Sequence, residues 1–103
     1  MPFLVERFVN MAKSPQLAPK FPQGFIGAAA KFYYDTAQVA NPAAMSALTK
    51  VVPVSQIVFG TDYPYRTSAD HVKGLKECGV FSAKDLGLID RSNALSLLPR
   101  FKA

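Results

Sequence analysis

The chain has 103 residues, 50% of them hydrophobic and 18% charged, with a formal net charge of +5. That length excludes a complete eight-fold β/α barrel, which takes roughly 200 to 250 residues. The composition excludes disorder, which needs low hydrophobicity and high net charge. A mean hydropathy of +0.11 is high for a small domain, which buries only about two-thirds of its unfolded surface. Some apolar surface is therefore expected to meet another chain or another part of the same fold.

The 12 Lys and Arg residues are scattered, from Arg7 to Lys102. They form no tract or stripe of the kind that grips nucleic acid, so no nucleic-acid partner is expected. No run of 18 apolar residues exists, so no membrane span is expected either. Glu6 and Arg7 interrupt the first apolar stretch, which does not fit a signal peptide. The single cysteine, Cys78, reads as a small apolar residue in a reducing, cytoplasmic setting.

In chain order, apolar Phe3, Leu4, Val5, Phe8, Val9 and Met11 predict a helix over 3–12 with a broad apolar face. Pro15, Pro19 and Pro22 mark a loop. A weak second helix is predicted over 23–31, then a strand in Lys31–Ala37, where Phe32, Tyr33, Tyr34 and Thr36 favour extended backbone and Asp35 falls near its end. Asn41-Pro42 is a helix start, a capping side chain followed by a proline whose missing N–H costs nothing there; that helix runs to Pro53. Ile57-Val58-Phe59 is apolar without alternation, as in a strand covered on both faces. Thr67 or Ser68 caps a helix over 69–78, which Gly79 stops. Ser82 opens a short turn near 83–86, and Asp90 is read as the cap of a last helix carrying Ala94, Leu95, Leu97 and Leu98.

The order α, α, β, α, β, α, turn, α places two parallel strands with flanking helices in one partial domain over 1–103. Two parallel strands do not make a stable sheet alone, because faces and edges need cover. The expected class is α/β, a βαβα piece of something larger, and a homo-oligomer.

Asp62, in IVFGTDYP, carries the candidate chemistry. A carboxylate at the C-terminal end of a buried parallel strand is where α/β folds place catalytic groups and metal ligands, and partial burial there would call for a cation or a donor network. The alternative is that the carboxylate caps the loop through backbone N–H groups near Tyr63 and Tyr65. Asp35 stands at the end of the other strand, either facing the same mouth or bonding the loop after Thr36. Tyr63, Tyr65 and Arg66 follow Asp62, and Arg66 could pair with a substrate carboxylate or stand in solvent. His71, the only histidine, reads as a surface or helix-edge residue.

IVFGTDYPYR resembles the last-strand motif of the amidohydrolase-related family, in the branch similar to aminocarboxymuconate-semialdehyde decarboxylase. KFYYDTA is similar to the preceding strand, Ile89-Asp90 with Asn93-Ala94 and Leu97-Leu98 to its C-terminal helix, and MPFLVERF to the helix that follows a histidine-bearing strand. The resemblance implies the C-terminal portion of a (β/α)8 barrel of hydrolases and decarboxylases. It implies that Asp62 binds the metal, often zinc, and carries a proton, with Tyr65 and Arg66 on a small, possibly aromatic, carboxylate substrate. The His-x-His pair of that family is absent from this sequence, so the chain alone is expected to hold no zinc and to be inactive. The rival expectation is a small non-catalytic α/β module that self-associates or binds a protein partner.

Overall fold

In the computed structural model, residues 4–101 are described; the predicted helix start at Phe3 lies outside them. Six α-helices and two short strands follow one another. They are α1 (Val5–Ala12), α2 (Gly24–Ala29), β1 (Tyr34–Asp35), α3 (Pro42–Thr49), β2 (Ile57–Val58), α4 (Ser68–Glu77), α5 (Ala83–Gly87) and α6 (Asn93–Leu97). The strands pair in parallel, with Tyr34 opposite Ile57 and Asp35 opposite Val58. Each is followed by a helix, as predicted.

The capping signals act locally. The Asn41 side chain accepts the Ala44 N–H at 2.9 Å, with Pro42 in the first helical turn. The Thr67 hydroxyl accepts the Asp70 N–H at 3.1 Å, and Gly79 takes a left-handed φ of +74° just past α4, where a side chain would be strained. Between α1 and α2 the Phe8 and Phe25 rings meet at 5.2 Å.

The core lies around the strands and the later helices. Met45 and Leu48 of α3, Val52, Ile57 of β2, Leu75 of α4, Cys78 and Ile89 form one buried cluster. Cys78 is buried as expected, its thiol against the Leu75 carbonyl at 3.2 Å.

Several sequence expectations need correction. The helix begun at Pro42 ends at Thr49, short of Pro53. Phe32 is not in the strand but in the turn before it, with 66% of its surface exposed. Phe59 is not in the ladder, because the Gly60 N–H goes to the Thr36 hydroxyl and not to the Thr36 carbonyl; the Phe59 N–H, on the outer side of β2, donates to the Ile89 carbonyl at 3.0 Å. Asp90 caps nothing. The chain stays helical from α5 through a π turn at Leu88–Ser92 into α6, and the cap is at Ser82, in a reciprocal pair with Asp85. In the π turn the Asn93 N–H reaches back five residues to the Leu88 carbonyl, and the Ile89 carbonyl accepts the Phe59 N–H.

Asn93 then serves the strand. It is 4% exposed, and its side-chain NH2 donates to the carbonyls of Val54 and Ile57, both at 2.7 Å. The last helix thus covers the outer edge of β2 with one main-chain carbonyl and one amide.

Candidate active site

The C-terminal ends of β1 and β2 are locked by Thr36. This residue is fully buried; its N–H donates to the Val58 carbonyl at 3.1 Å. Its hydroxyl donates to the Gly60 carbonyl at 2.9 Å and accepts the Gly60 N–H at 3.1 Å. Gly60 lies close to the first strand: a Cβ there would stand 3.1 Å from the Asp35 Cβ, so Asp35 would have to give way by a few tenths of an ångström. The two loops leaving the strands therefore start side by side.

Asp62 stands on the second loop, four residues past the end of β2. It adopts a left-handed φ of +63°, uncommon outside glycine. The capping alternative for its carboxylate does not hold. The Asp62 main-chain carbonyl, not its side chain, accepts the Tyr65 N–H at 3.0 Å, and the Tyr63 N–H goes to the Thr61 hydroxyl at 3.2 Å. The carboxylate turns instead to Gln38 on the first loop, whose side-chain NH2 donates to Asp62 Oδ2. The expected burial of this carboxylate is not found: Asp62 is exposed, because the described residues cover only one side of the strand end.

Tyr63 and Tyr65 are 79% and 80% exposed, joined through a cis Tyr63–Pro64 peptide bond, and Arg66 is exposed beside them. Tyr65 and Arg66 thus stand on the same open loop as Asp62. Asp35 is held locally, its Oδ1 accepting the Ala37 N–H at 2.9 Å, which is the loop bond foreseen for it. The Tyr34 hydroxyl donates to the Ala29 carbonyl at 2.8 Å, and burial raises its pKa.

His71 corrects its expectation. It is 1% exposed, not at a surface. Its Nε2 accepts the Gln38 main-chain N–H at 2.8 Å, which fixes the proton on Nδ1, and Nδ1–H donates to the Thr67 carbonyl at 3.0 Å. The Phe59 ring stands edge-on to it, with centroids 6.4 Å apart. Both ring nitrogens are engaged, so neither is turned to a ligand. Sequence reasoning missed Thr36, Gln38 and the burial of His71. The only local signal was that a lone histidine and a threonine sat at positions where a helix and a strand face the core.

Among the described residues, no group of three His, Cys, Asp or Glu side chains could hold a metal ion. Catalytic zinc takes three protein ligands and an open position. Asp62 fits one such ligand; the residues of this chain do not fit a complete site. No helix among the described residues is long and apolar enough to cross a membrane.

The architecture is that of a partial (β/α)8 barrel, and comparison with known proteins agrees. The fold matches 2,6-dihydroxybenzoate decarboxylase from Rhizobium with a TM-score of 0.77 and 19% identity, over 98% of this chain and 32% of that one. It matches 5-carboxyvanillate decarboxylase from Sphingomonas paucimobilis with a TM-score of 0.69 and 18% identity, over 96% of this chain and 30% of that one. In sequence the chain is 30% identical over 108 aligned positions to 6-methylsalicylic acid decarboxylase from Penicillium expansum, over 99% of this chain and 32% of the relative. No protein-family model matches. These matches bear out the resemblance to the amidohydrolase-related family, confined to a portion of its barrel. The chain spans about a third of the length of the relatives it matches.

Proposed function

We propose that this chain is one partial domain, the C-terminal part of a cytoplasmic barrel decarboxylase acting on a small aromatic carboxylate, and that it is inactive alone. The observation that carries this reading is the match of 99% of this chain to 32% of 6-methylsalicylic acid decarboxylase, with an exposed carboxylate, Asp62, on the loop after a parallel strand. In this reading Asp62 is one ligand of a metal, zinc in the family the motif resembles. The histidines that would complete the site are not in this sequence, whose only histidine is His71. The overall change replaces the ring-to-carboxylate C–C bond with a C–H bond and releases CO2, so a group must deliver a proton to the ring carbon. Asp62 is the group of this chain assigned to move it. Arg66 offers a planar fork of donors to the substrate carboxylate, and Tyr65 offers a flat apolar face and a hydroxyl to the ring.

The test replaces the matching third of the Penicillium expansum enzyme with this chain. The chimera is expected to hold zinc and to release CO2 from 6-methylsalicylate, while the chain alone holds only substoichiometric zinc by elemental analysis and shows no turnover. A metal ion held tightly in every copy of the chain alone would sink the reading of Asp62 as a lone ligand. A folded chimera that holds zinc but turns over no aromatic carboxylate would sink the substrate class.

The same features favour self-association of the isolated chain. The outer edge of β1 is a strand edge, and Phe32 beside it is 66% exposed; bare edges and apolar patches recruit partners. A dimer or larger species is expected in light scattering at micromolar concentration, and a stable monomer there would count decisively against it.

A further inference from the structure

We propose that Gln38 is a positioning residue for the Asp62 carboxylate, and that His71, buried in α4, sets Gln38. The proposal rests on the reading that Asp62 acts at the mouth of the barrel. It starts from two backbone outliers. Gln38 has a φ of +61° and Asp62 a φ of +63°, a conformation that glycine takes readily and other residues rarely. Here the two meet: Gln38 on the β1–α3 loop donates its side-chain NH2 to Asp62 Oδ2 on the β2–α4 loop. One carboxylate oxygen is taken, which fixes the direction of the other.

Gln38 is in turn held from behind. Its main-chain N–H donates to His71 Nε2 at 2.8 Å, across 33 residues of sequence. His71 cannot turn away, because Nδ1–H is bonded to the Thr67 carbonyl at 3.0 Å and the ring is buried. The α4 helix lies directly against the β1–α3 loop. A Cβ on Gly74 would stand 2.4 Å from the Ala40 carbonyl oxygen. A path therefore runs from the core face of α4 through the His71 ring, the Gln38 main chain and the Gln38 side chain to an otherwise exposed carboxylate. It is the kind of support that holds a ligand or proton carrier in one orientation.

Two measurements test it. In the 15N-labelled chain, the Gln38 side-chain amide protons are expected as a widely split pair that collapses toward free glutamine values in Asp62→Ala and in His71→Leu. His71→Gln, which keeps an acceptor where Nε2 stood, should restore the split pair and shows that a collapse in His71→Leu is not general unfolding. A Gln38 amide already at free values in the unaltered chain would overturn the proposal. In the barrel chimera, Gln38→Ala should lower kcat about tenfold or more with KM nearly unchanged, the range found when support for an active-site ligand is removed. If Asp62→Asn abolishes turnover while Gln38→Ala leaves kcat intact, the positioning role falls and the role of Asp62 stands. If Asp62→Asn itself leaves turnover intact, both fall.

Discussion

Asp62→Asn in the barrel chimera is expected to lower turnover roughly 10²-fold or more, the magnitude of general acid–base catalysis, while the thermal midpoint barely moves. Asn keeps the volume and one carbonyl-type acceptor, so the bond from Gln38 to this side chain can persist. It removes the negative charge and the proton-carrying oxygen. Stability should be insensitive because Asp62 is exposed and its turn is closed by its main-chain carbonyl on the Tyr65 N–H, not by the side chain. Turnover and melting measured on the same variant separate the two effects. Turnover within a few-fold of the parent would remove Asp62 from the chemistry.

The second large effect is on stability. Asn93→Ala should destabilise the chain by about 1–3 kcal/mol, because it strips the donor from the buried Ile57 carbonyl, and an unsatisfied buried group costs about that much; the Val54 carbonyl keeps the Ile57 N–H. For a domain of this size that corresponds to a fall in melting temperature on the order of 5–20 °C. Asn10→Ala, at an exposed position of α1, is the control and should change little. Circular-dichroism melts at one fixed protein concentration check the pair. An Asn93→Ala midpoint within a degree or two of the parent would show that the amide is not what fastens the last helix to β2.

What the sequence made legible was local. Asn41-Pro42, Thr67 and Gly79 announce helix ends because capping is decided within a turn or so of the cap, and the structure has all three in those roles. Ile57 and Val58 are legible as a covered strand because they are apolar in succession. The IVFGTDYPYR motif pointed to the barrel and to Asp62. What was not legible is the set of bonds that join distant segments. Thr36 and Gly60 are 24 residues apart, as are Gln38 and Asp62, and Asn93 and Ile57 are 36 apart. No periodicity encodes which polar side chain will meet which carbonyl across such a separation. His71 illustrates the point: its neighbours Asp70, Val72 and Lys73 are exposed, so its surroundings in sequence suggest a surface, while in the fold the β1–α3 loop and the Phe59 ring lie against it. Asp90 misled for a related reason. It has the chemistry of a cap, but the π turn carries the helix through it.

That π turn also decides which changes to the gene the fold can absorb. Asp90 and Arg91 are exposed, and exchanging either for an amino acid other than proline, which would break the helix, disturbs no packing. Losing one of them is another matter. A turn shortened by a residue reverts to the ordinary α spacing, in which the Ile89 carbonyl would be claimed by the helix, and everything downstream rotates by roughly 100°, the angular step of one residue. Phe59 would lose its acceptor, and Asn93 would swing off β2. At this surface position the count of residues is under constraint while their identities, proline apart, are not, so alleles that exchange a codon without introducing proline should be silent where an in-frame codon loss is not.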